Sequence, residues 1–249
     1  KGIREKHNKV PFFNWRHAVD SLQFAAYMII NGNLDRLLSK ENMLSLFVAV
    51  ICQNAGHDNF EKETGTFSIE YEELLNRFCG FSEIEHSNIF VNINASQVKS
   101  IWDQIIELIL STDMSLHFTI LNEFVSKTST GEFDAVDSPL NKLLLMKILV
   151  KCADFCVFAR PFDCADKFYG FLAEEFFRKG QIEKVEGLVF AAGKKARDEI
   201  DRSAATIGFL RSVALPLFQA LTRQVKQLSL LADQVSENID KYVKSMLTK

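Results

Sequence analysis

The chain is poor in the two residues that most often interrupt helices, with 4 prolines and 11 glycines among 249 residues. This scarcity favours helix and disfavours a turn-rich β architecture. The apolar residues agree, because between 207 and 221 they recur at the spacing of a single helix face. They are Ile207, Leu210, Val213, Ala214, Leu217 and Leu221. We therefore predict an all-α fold.

Helix boundaries follow from capping residues and periodicity. Ser138 and Pro139 are typical of a helix start, and the apolar run that follows them continues to Val150. Gly180 is predicted to end a helix that begins near Asp163. The same criteria predict further helices near 14–31, 41–54, 67–79, 97–111, 113–127, 181–198 and 226–247.

Two polar loops separate the predicted helices, one over 57–66 and the other over 127–138. Neither is long enough, or biased enough in composition, to be a domain linker. We therefore predict a single helical domain over residues 1–249. Because the chain opens with Lys1 rather than with methionine, we expect this domain to be part of a longer protein.

The charge of the chain argues against nucleic acid as a partner. Its 29 basic and 32 acidic residues give a formal net charge of −3, whereas a nucleic-acid interface needs a basic stripe. No apolar run approaches the ~20 residues that span a bilayer, so we predict no membrane span. The 5 cysteines lie in apolar runs without a C-x-x-C pair, which favours free thiols in the reducing cytoplasm.

Two short segments carry a family resemblance. Residues 12–18 read Phe-Phe-Asn-Trp-Arg-His-Ala, and residues 52–57 read Cys-Gln-Asn-Ala-Gly-His. They resemble the H-N-x-x-H and H-D-x-x-H motifs of the class I 3',5'-cyclic-nucleotide phosphodiesterases, which belong to the HD-type superfamily. Four more blocks resemble that family in the same order, over 109–117, 144–154, 174–183 and 208–218. The resemblance implies a compact multi-helix domain from which the family's N-terminal helices are missing.

The resemblance also implies a metal chemistry. In this family two divalent metals, zinc and magnesium, activate a hydroxide that attacks the cyclic phosphate. Their ligands correspond to His17, Gln53, Asn54 and Asp154. His17 and Asp154 keep the family's residue types, whereas Gln53 stands for a histidine and Asn54 for the bridging aspartate. Since an amide is neutral and a poor zinc ligand, we expect no metal pair and at most one weakly bound ion.

The catalytic positions are altered as well. Phe13 stands where the family has the histidine that protonates the leaving oxygen, and a phenyl ring has no proton to transfer. In the block that corresponds to the family's L-E-N-H-H, Leu75, Arg77 and Phe78 replace the glutamate and both histidines. We expect Phe13 and Phe78 to fill part of the former site, because apolar rings gain free energy by burial.

The positions that bind the purine base show one replacement and one retained residue. Thr206 stands for the glutamine that reads the base edge, and its side chain is too short for a two-pronged hydrogen bond. Phe209 keeps the aromatic ring that stacks on the base. A place in the apolar core is the other interpretation of Phe209.

Each retained polar residue also has a structural interpretation. His17 is either a residual ligand or a hydrogen-bonded, partly buried histidine. Asp154 lies in an apolar helix, where a carboxylate needs a partner, so a plain pair with His17 is the leading interpretation. The last helix has a short heptad pattern, formed by Leu228, Ala232, Val235, Ile239, Tyr242 and Met246. This face either packs on its own domain or binds a partner helix.

Three functions compete. The first is a pseudo-phosphodiesterase that keeps the fold as an interaction or structural module, with other protein subunits or domains of a cytoplasmic assembly as partners. The second is a sensor that binds a cyclic nucleotide without hydrolysing it, and the third is a divergent active hydrolase. Because the acid, two of the four metal ligands and the base-reading residue are replaced, we predict the first, which is not an enzyme. No sequence signal indicates a cytoskeletal or ciliary assembly.

Overall fold

A computed structural model of the chain describes residues 2–55, 89–185 and 202–247. All regular secondary structure in these ranges is helical, which confirms the predicted all-α fold. The described residues form two compact units. The first consists of residues 2–8, 15–55 and 89–154, and the second of residues 9–14, 155–185 and 202–247. The helix predicted over 67–79, and most of the one predicted over 181–198, lie outside the described residues.

The described part of the first unit is built from helices around one central helix. They are α1 (Gly2–Glu5), α2 (Trp15–Asn31), α3 (Lys40–Cys52), α4 (Ala95–Leu110), α5 (His117–Thr130) and α6 (Pro139–Asp154), with 3-10 turns at Leu34–Arg36 and Met114–Leu116. Helix α6 contacts α2, α3, α4 and α5. Every residue of α6 from 144 to 153 except Lys147 is buried, as expected for a helix that is apolar all round.

Local sequence signals set the helix ends in this unit. The Ser39 hydroxyl accepts from the Asn42 N–H and the Asn42 side chain accepts from the Ser39 N–H, a capping box that starts α3. Asn94 caps α4 by accepting from the Gln97 N–H. Helix α5 ends at Thr130 and is capped by Gly131, whose φ of 77° lies in the left-handed region that glycine adopts without steric cost.

Lys151 is a buried charge among the apolar residues of α6. It is 2% exposed, and its Nζ donates to the backbone oxygens of Ser111 at 2.7 Å and Asp113 at 3.4 Å. These bonds tie α6 to the turn that follows α4. Burial lowers the pKa of Lys151 to about 8, because water no longer stabilises the ammonium, while the negative charges of Asp154 and Asp113 oppose this lowering.

The described part of the second unit is a smaller helical cluster. Its helices are α7 (Phe162–Val185), α8 (Arg202–Phe209), α9 (Leu215–Gln224) and α10 (Ser229–Leu247), with a π turn at Leu210–Ala214 and 3-10 turns at Cys156–Ala159 and Lys226–Leu228. Helix α10 contacts α7, α8 and α9. The π turn lies just before Pro216, which has no backbone N–H and would clash with the Ser212 carbonyl in a regular α-helix.

The heptad face of the last helix is buried inside the second unit. Leu228, Ala232, Val235, Ile239 and Tyr242 are buried, and Met246 is 37% exposed. The interpretation in which this face packs on its own domain is therefore confirmed. The alternative, a seam for a partner helix, is wrong because these side chains already fill the core of the unit.

Two predicted helix boundaries are wrong. Helix α7 does not end at Gly180 but continues to Val185, because glycine inside a helix costs roughly 1 kcal/mol relative to alanine without creating a clash. The helix predicted from residue 113 begins only at His117. The reason is that the Asp113 carboxylate accepts a hydrogen bond from the Ser115 N–H at 2.8 Å and stabilises a 3-10 turn there.

One helical segment within the described residues, Ala204–Gln224, is long and apolar enough to cross a membrane by length and composition. Arg211 and Arg223 interrupt its apolar run, so the expectation that the chain has no membrane span stays a prediction. Eight residues of this segment are buried in the second unit, namely Thr206, Ile207, Leu210, Ala214, Leu217, Phe218, Ala220 and Leu221. Core helices of soluble proteins meet the same criterion as membrane spans.

The buried amide of Asn238 is expected to stabilise the second unit strongly. Its Nδ2 donates to the backbone oxygens of Phe158 at 2.9 Å and Arg160 at 2.8 Å. Leucine has a similar size but no donor, so Asn238→Leu leaves two carbonyls unsatisfied, at about 1–3 kcal/mol each. We expect the free energy of unfolding, measured by urea denaturation, to fall by about 2–4 kcal/mol.

The matched control for this prediction is Asn31→Leu. The Asn31 amide donates to the Tyr27 oxygen in an exposed position, where water replaces the lost bond. This control should change the free energy of unfolding by less than about 0.5 kcal/mol. Equal losses in the two variants would contradict the anchoring role of Asn238.

The lowered pKa of Lys151 predicts that stability rises with pH. From pH about 8 to about 10.4 the folded chain has lost this proton while the unfolded chain still binds it, so a higher pH favours folding. The total gain is about 3 kcal/mol, since a tenfold difference in proton affinity corresponds to about 1.4 kcal/mol. We expect the free energy of unfolding of the wild type, minus that of Lys151→Met, to increase accordingly across this range.

Lys147→Met is the control for the pH measurement. Lys147 lies on the same helix and pairs with the half-exposed Glu107 carboxylate at 2.7 Å. The free energy of unfolding of the wild type, minus that of Lys147→Met, should change by less than about 0.5 kcal/mol over the same pH range. A difference between the wild type and Lys151→Met that stays constant with pH would show that burial does not lower this pKa.

Candidate functional site

Three of the predicted site residues meet at one carboxylate oxygen in the first unit. Asp154 is the last residue of α6, and His17 lies in the first turn of α2. The Nε2 of His17 lies 3.1 Å from Asp154 Oδ1. Gln53, the first residue after α3, donates from its Nε2 to the same Oδ1 at 2.9 Å. Helices α2, α3 and α6 therefore converge at this oxygen.

The chemistry of the acceptor fixes the hydrogens in this cluster. A carboxylate oxygen accepts hydrogen bonds and does not donate them, so the Nε2–H of His17 and an amide N–H of Gln53 both point at Oδ1. A ring nitrogen that carries a hydrogen has no lone pair to offer a metal. The structure thus contains the histidine–aspartate pair that the sequence favoured, with a glutamine added to it.

Asn54 is buried next to this cluster but is not joined to it by any hydrogen bond within the described residues. It is 8% exposed. Its Nδ2, and the Oε1 of Gln53, have no hydrogen-bond partner in the described part of the chain. One is a donor and the other an acceptor, and both are shielded from solvent, which costs free energy. The predicted convergence is therefore seen for His17, Gln53 and Asp154, with Asn54 adjacent in sequence.

The residues at this cluster do not fit the metal pair that the resemblance implies. The described residues hold no group of three or more His, Cys, Asp or Glu side chains that could bind a metal. Asp154 is the one carboxylate among the four predicted positions, and the amide of Gln53 presents a donor to it at 2.9 Å. Two dications need carboxylates to offset their charge and lone pairs to coordinate them, and this arrangement supplies few of either.

Phe13 lies in the second unit on a segment that a buried carboxylate holds. The backbone N–H groups of Phe12 and Phe13 donate to Glu175 Oε2 at 2.7 Å and 3.0 Å. Glu175 is buried. Phe12 is buried as well, while Phe13 is half-buried with its ring edge-on to Phe12 at 4.9 Å. The segment is thus held through its backbone, and these bonds do not depend on which side chain occupies position 13.

The two positions assigned to the purine base lie in the second unit. Thr206 is completely buried. The ring of Phe209 packs against Phe155 at 5.5 Å and Phe158 at 5.2 Å between centroids, and both neighbours are buried. From the sequence, Phe209 is either a ring that stacks on a base or a core residue, and these contacts are those of a core residue.

Three of the predicted catalytic positions cannot be placed. Leu75, Arg77 and Phe78 lie outside the described residues. The replacement of the family's glutamate and histidines by these residues therefore remains a sequence-based prediction. The same holds for the expectation that Phe78 fills part of the former site together with Phe13.

The sequence analysis missed two residues that matter for the geometry. Lys151 lies in an apolar run where its neighbours are buried, and Glu175 lies in the Glu-Glu-Phe-Phe segment. A lone charge at a core-facing position of a helix is the signal that could have found both, because such a charge needs a buried partner. Their partners are backbone atoms, which the sequence does not mark.

Comparisons with known proteins show the family of this chain. The model of the 3'5'-cyclic nucleotide phosphodiesterase family, PDEase_I, matches residues 12–235. The human "High affinity cGMP-specific 3',5'-cyclic phosphodiesterase 9A" is 30% identical, over 89% of this chain and 39% of that protein. The Drosophila melanogaster "cGMP-specific 3',5'-cyclic phosphodiesterase" is 26% identical, over 95% of this chain and 22% of that protein. The chain thus spans less than half the length of these relatives.

A solved structure shares the fold. The structure titled "Structure of LmjPDEB1 in complex with IBMX" matches with a TM-score of 0.85 at 20% identity, over 99% of this chain and 78% of that chain. The family match includes both motif segments, the helix that ends at Asp154 and the purine-binding positions. Because it extends over most of the chain, this protein belongs to the 3'5'-cyclic nucleotide phosphodiesterase family.

Proposed function

We propose that this domain has kept the phosphodiesterase fold without the hydrolytic reaction, and that it serves as an interaction module in a larger cytoplasmic assembly. The observation that carries the proposal is the hydrogen bond from the Gln53 amide to Asp154 Oδ1 at 2.9 Å. It directs a donor at the carboxylate that the family uses as a metal ligand. Without the metals, the family's reaction lacks its activated water.

The acid–base chemistry supports the same proposal independently. A general acid contributes about 10²–10⁴-fold to a rate, and Phe13 occupies the position of the family's acid with a side chain that holds no exchangeable proton. Its backbone N–H is bonded to Glu175 Oε2 at 3.0 Å. The loop therefore keeps a defined conformation that does not depend on a catalytic side chain.

The positions that correspond to the family's purine site argue against a nucleotide ligand. Thr206 is completely buried, so its short hydroxyl is shielded from any ligand in solution. The ring of Phe209 packs on two other phenylalanine rings, with centroid distances of 5.2 and 5.5 Å. The ring that would stack on a base is thus already in contact with the core. We therefore rank the sensor function below the interaction module.

An exposed apolar face on α2 gives the interaction module a surface. Val19 is 43% exposed, Tyr27 39% and Ile30 70%. Their spacing of eight and three residues places them on one side of the helix. The exposed Gln23 lies between Val19 and Tyr27 on this side. Because exposed apolar side chains on one face often mark an interface, we propose this α2 face, defined by Val19, Tyr27 and Ile30, as a contact for another protein subunit or domain.

The hydrolysis test is direct. We expect no turnover of cyclic GMP or cyclic AMP above a protein-free blank, with magnesium, manganese or zinc present. The double variant Gln53→His with Asn54→Asp should also be inactive, since Phe13 supplies no acid and Thr206 cannot read the base edge. Product formation is followed by chromatography of the nucleotides over hours.

Turnover by the wild type that a chelator abolishes would refute the loss of the reaction. Restored turnover in the double variant would show that the acid and the base-reading residue are dispensable. Micromolar binding of cyclic GMP without turnover, measured by calorimetry, would favour the sensor instead.

The interaction module predicts a surface-specific loss of partners. We expect Val19→Asp combined with Ile30→Asp to reduce recovery of the partner subunits at least about 10-fold, which corresponds to about 1.4 kcal/mol, when the full-length protein is isolated from cells. The matched control is Leu230→Asp, a leucine on α10 that is 69% exposed. Recovery is quantified by mass spectrometry, and circular dichroism checks that each variant is folded. Equal recovery in all three proteins would refute the α2 face as an interface.

A further inference from the structure

Asp154 is a partly buried carboxylate with two donors on one oxygen. Its side chain is 16% exposed, and Oδ1 receives the His17 ring at 3.1 Å and the Gln53 amide at 2.9 Å. A carboxylate removed from water needs such donors, because an unpaired buried charge is strongly destabilising. One donor lies on α2 and the other directly follows α3, so the carboxylate joins three segments of the first unit.

The orientation of Gln53 shows which half of its amide is used. The Nε2 faces Asp154 while the Oε1 is buried without a partner in the described residues. The reverse orientation would bring the amide oxygen against the carboxylate oxygen, and two acceptors at this distance repel. The hydrogen bond to Asp154 therefore contributes more free energy than the unsatisfied Oε1 costs. The role of this amide is to hold the Asp154 carboxylate in place.

A positive charge also acts on Asp154. Lys151 lies one turn earlier on α6, is 2% exposed, and interacts with the charge of Asp154. The imidazole and the amide bond this carboxylate directly, whereas the ammonium acts on it through its charge alone. Nothing in this set requires a dication to offset excess negative charge.

We propose that Gln53 replaces the metal ions as the link that holds Asp154, so that α2, α3 and α6 are joined without any divalent cation. The cluster of His17, Gln53 and Asp154 is then a structural cross-link, and the first unit folds independently of metal. This inference rests on the proposed loss of the metal-dependent reaction, since both use the hydrogen bond from Gln53 to Asp154. Its readout is thermal stability with and without metal, so its failure is distinguishable from the appearance of turnover and from the loss of a partner.

The sharpest test exchanges one group of the Gln53 amide. Gln53→Glu has the same shape, but it puts a carboxylate oxygen where the donor was, about 3 Å from Asp154 Oδ1. We expect the melting temperature of this variant in EDTA to fall by about 4–8 °C. Manganese or zinc at about 1 mM should restore most of the loss, because two carboxylates and an imidazole are suitable ligands.

The wild type should melt at the same temperature, within about 1 °C, in EDTA and in either metal. Gln219→Glu is the matched control, since Gln219 is exposed and the same chemical exchange there should alter neither stability nor its response to metal. Metal content is measured by mass spectrometry after dialysis, and we expect no stoichiometric metal in the wild type.

A second variant keeps the inference testable if Gln53→Glu does not fold in EDTA. Gln53→Met keeps the length of the side chain and removes the donor, and we expect a lower melting temperature that no divalent cation restores. Two outcomes would overturn the inference. One is a wild type that binds a divalent cation stoichiometrically and is stabilised by it, and the other is a Gln53→Met variant that melts like the wild type.

Discussion

The packing of helices in the first unit depends on the hydrogen bonds that one carboxylate accepts. Helix α6 is buried along most of its length and ends at Asp154, so a charge lies at the point where the central helix meets its neighbours. The cost of removing a carboxylate from water is larger than the net stability of most domains unless donors compensate it. The donors are His17 on α2 and Gln53 after α3, both on the same oxygen. The relative placement of three helices is therefore tied to one atom.

Three other buried polar side chains follow a different rule, since they bond to the backbone. Lys151 donates to the oxygens of Ser111 and Asp113, Glu175 accepts from the N–H groups of Phe12 and Phe13, and Asn238 donates to the oxygens of Phe158 and Arg160. Backbone partners do not change when a side chain is replaced. Such bonds hold a loop in place while the residues along it vary, and they explain how position 13 can carry a phenylalanine on an ordered segment.

The sequence predicted the helical class, the helix that starts at Pro139 and the family, because periodicity, capping and motif order are all local or linear properties. It could not predict that α7 runs through Gly180, since a single glycine is a weak signal against the preference of its neighbours. The meeting of His17, Gln53 and Asp154 followed from the family resemblance. The anchoring roles of Lys151 and Glu175 did not, because each partner is a peptide group brought close only by the tertiary fold.

The cluster around Asp154 is less stabilising than a fully bonded or apolar cluster of the same size would be. Gln53 Oε1 and Asn54 Nδ2 are buried without partners in the described residues, and apolar side chains of similar volume would avoid that cost. A metal pair would have required a second carboxylate beside Asp154, and two carboxylates repel unless cations separate them. An asparagine at position 54 removes that repulsion, and a glutamine at position 53 supplies the donor that Asp154 then needs. On the proposed metal-free cross-link the two replacements are complementary, since the first removes the charge that requires a cation and the second provides a hydrogen bond in place of the cation.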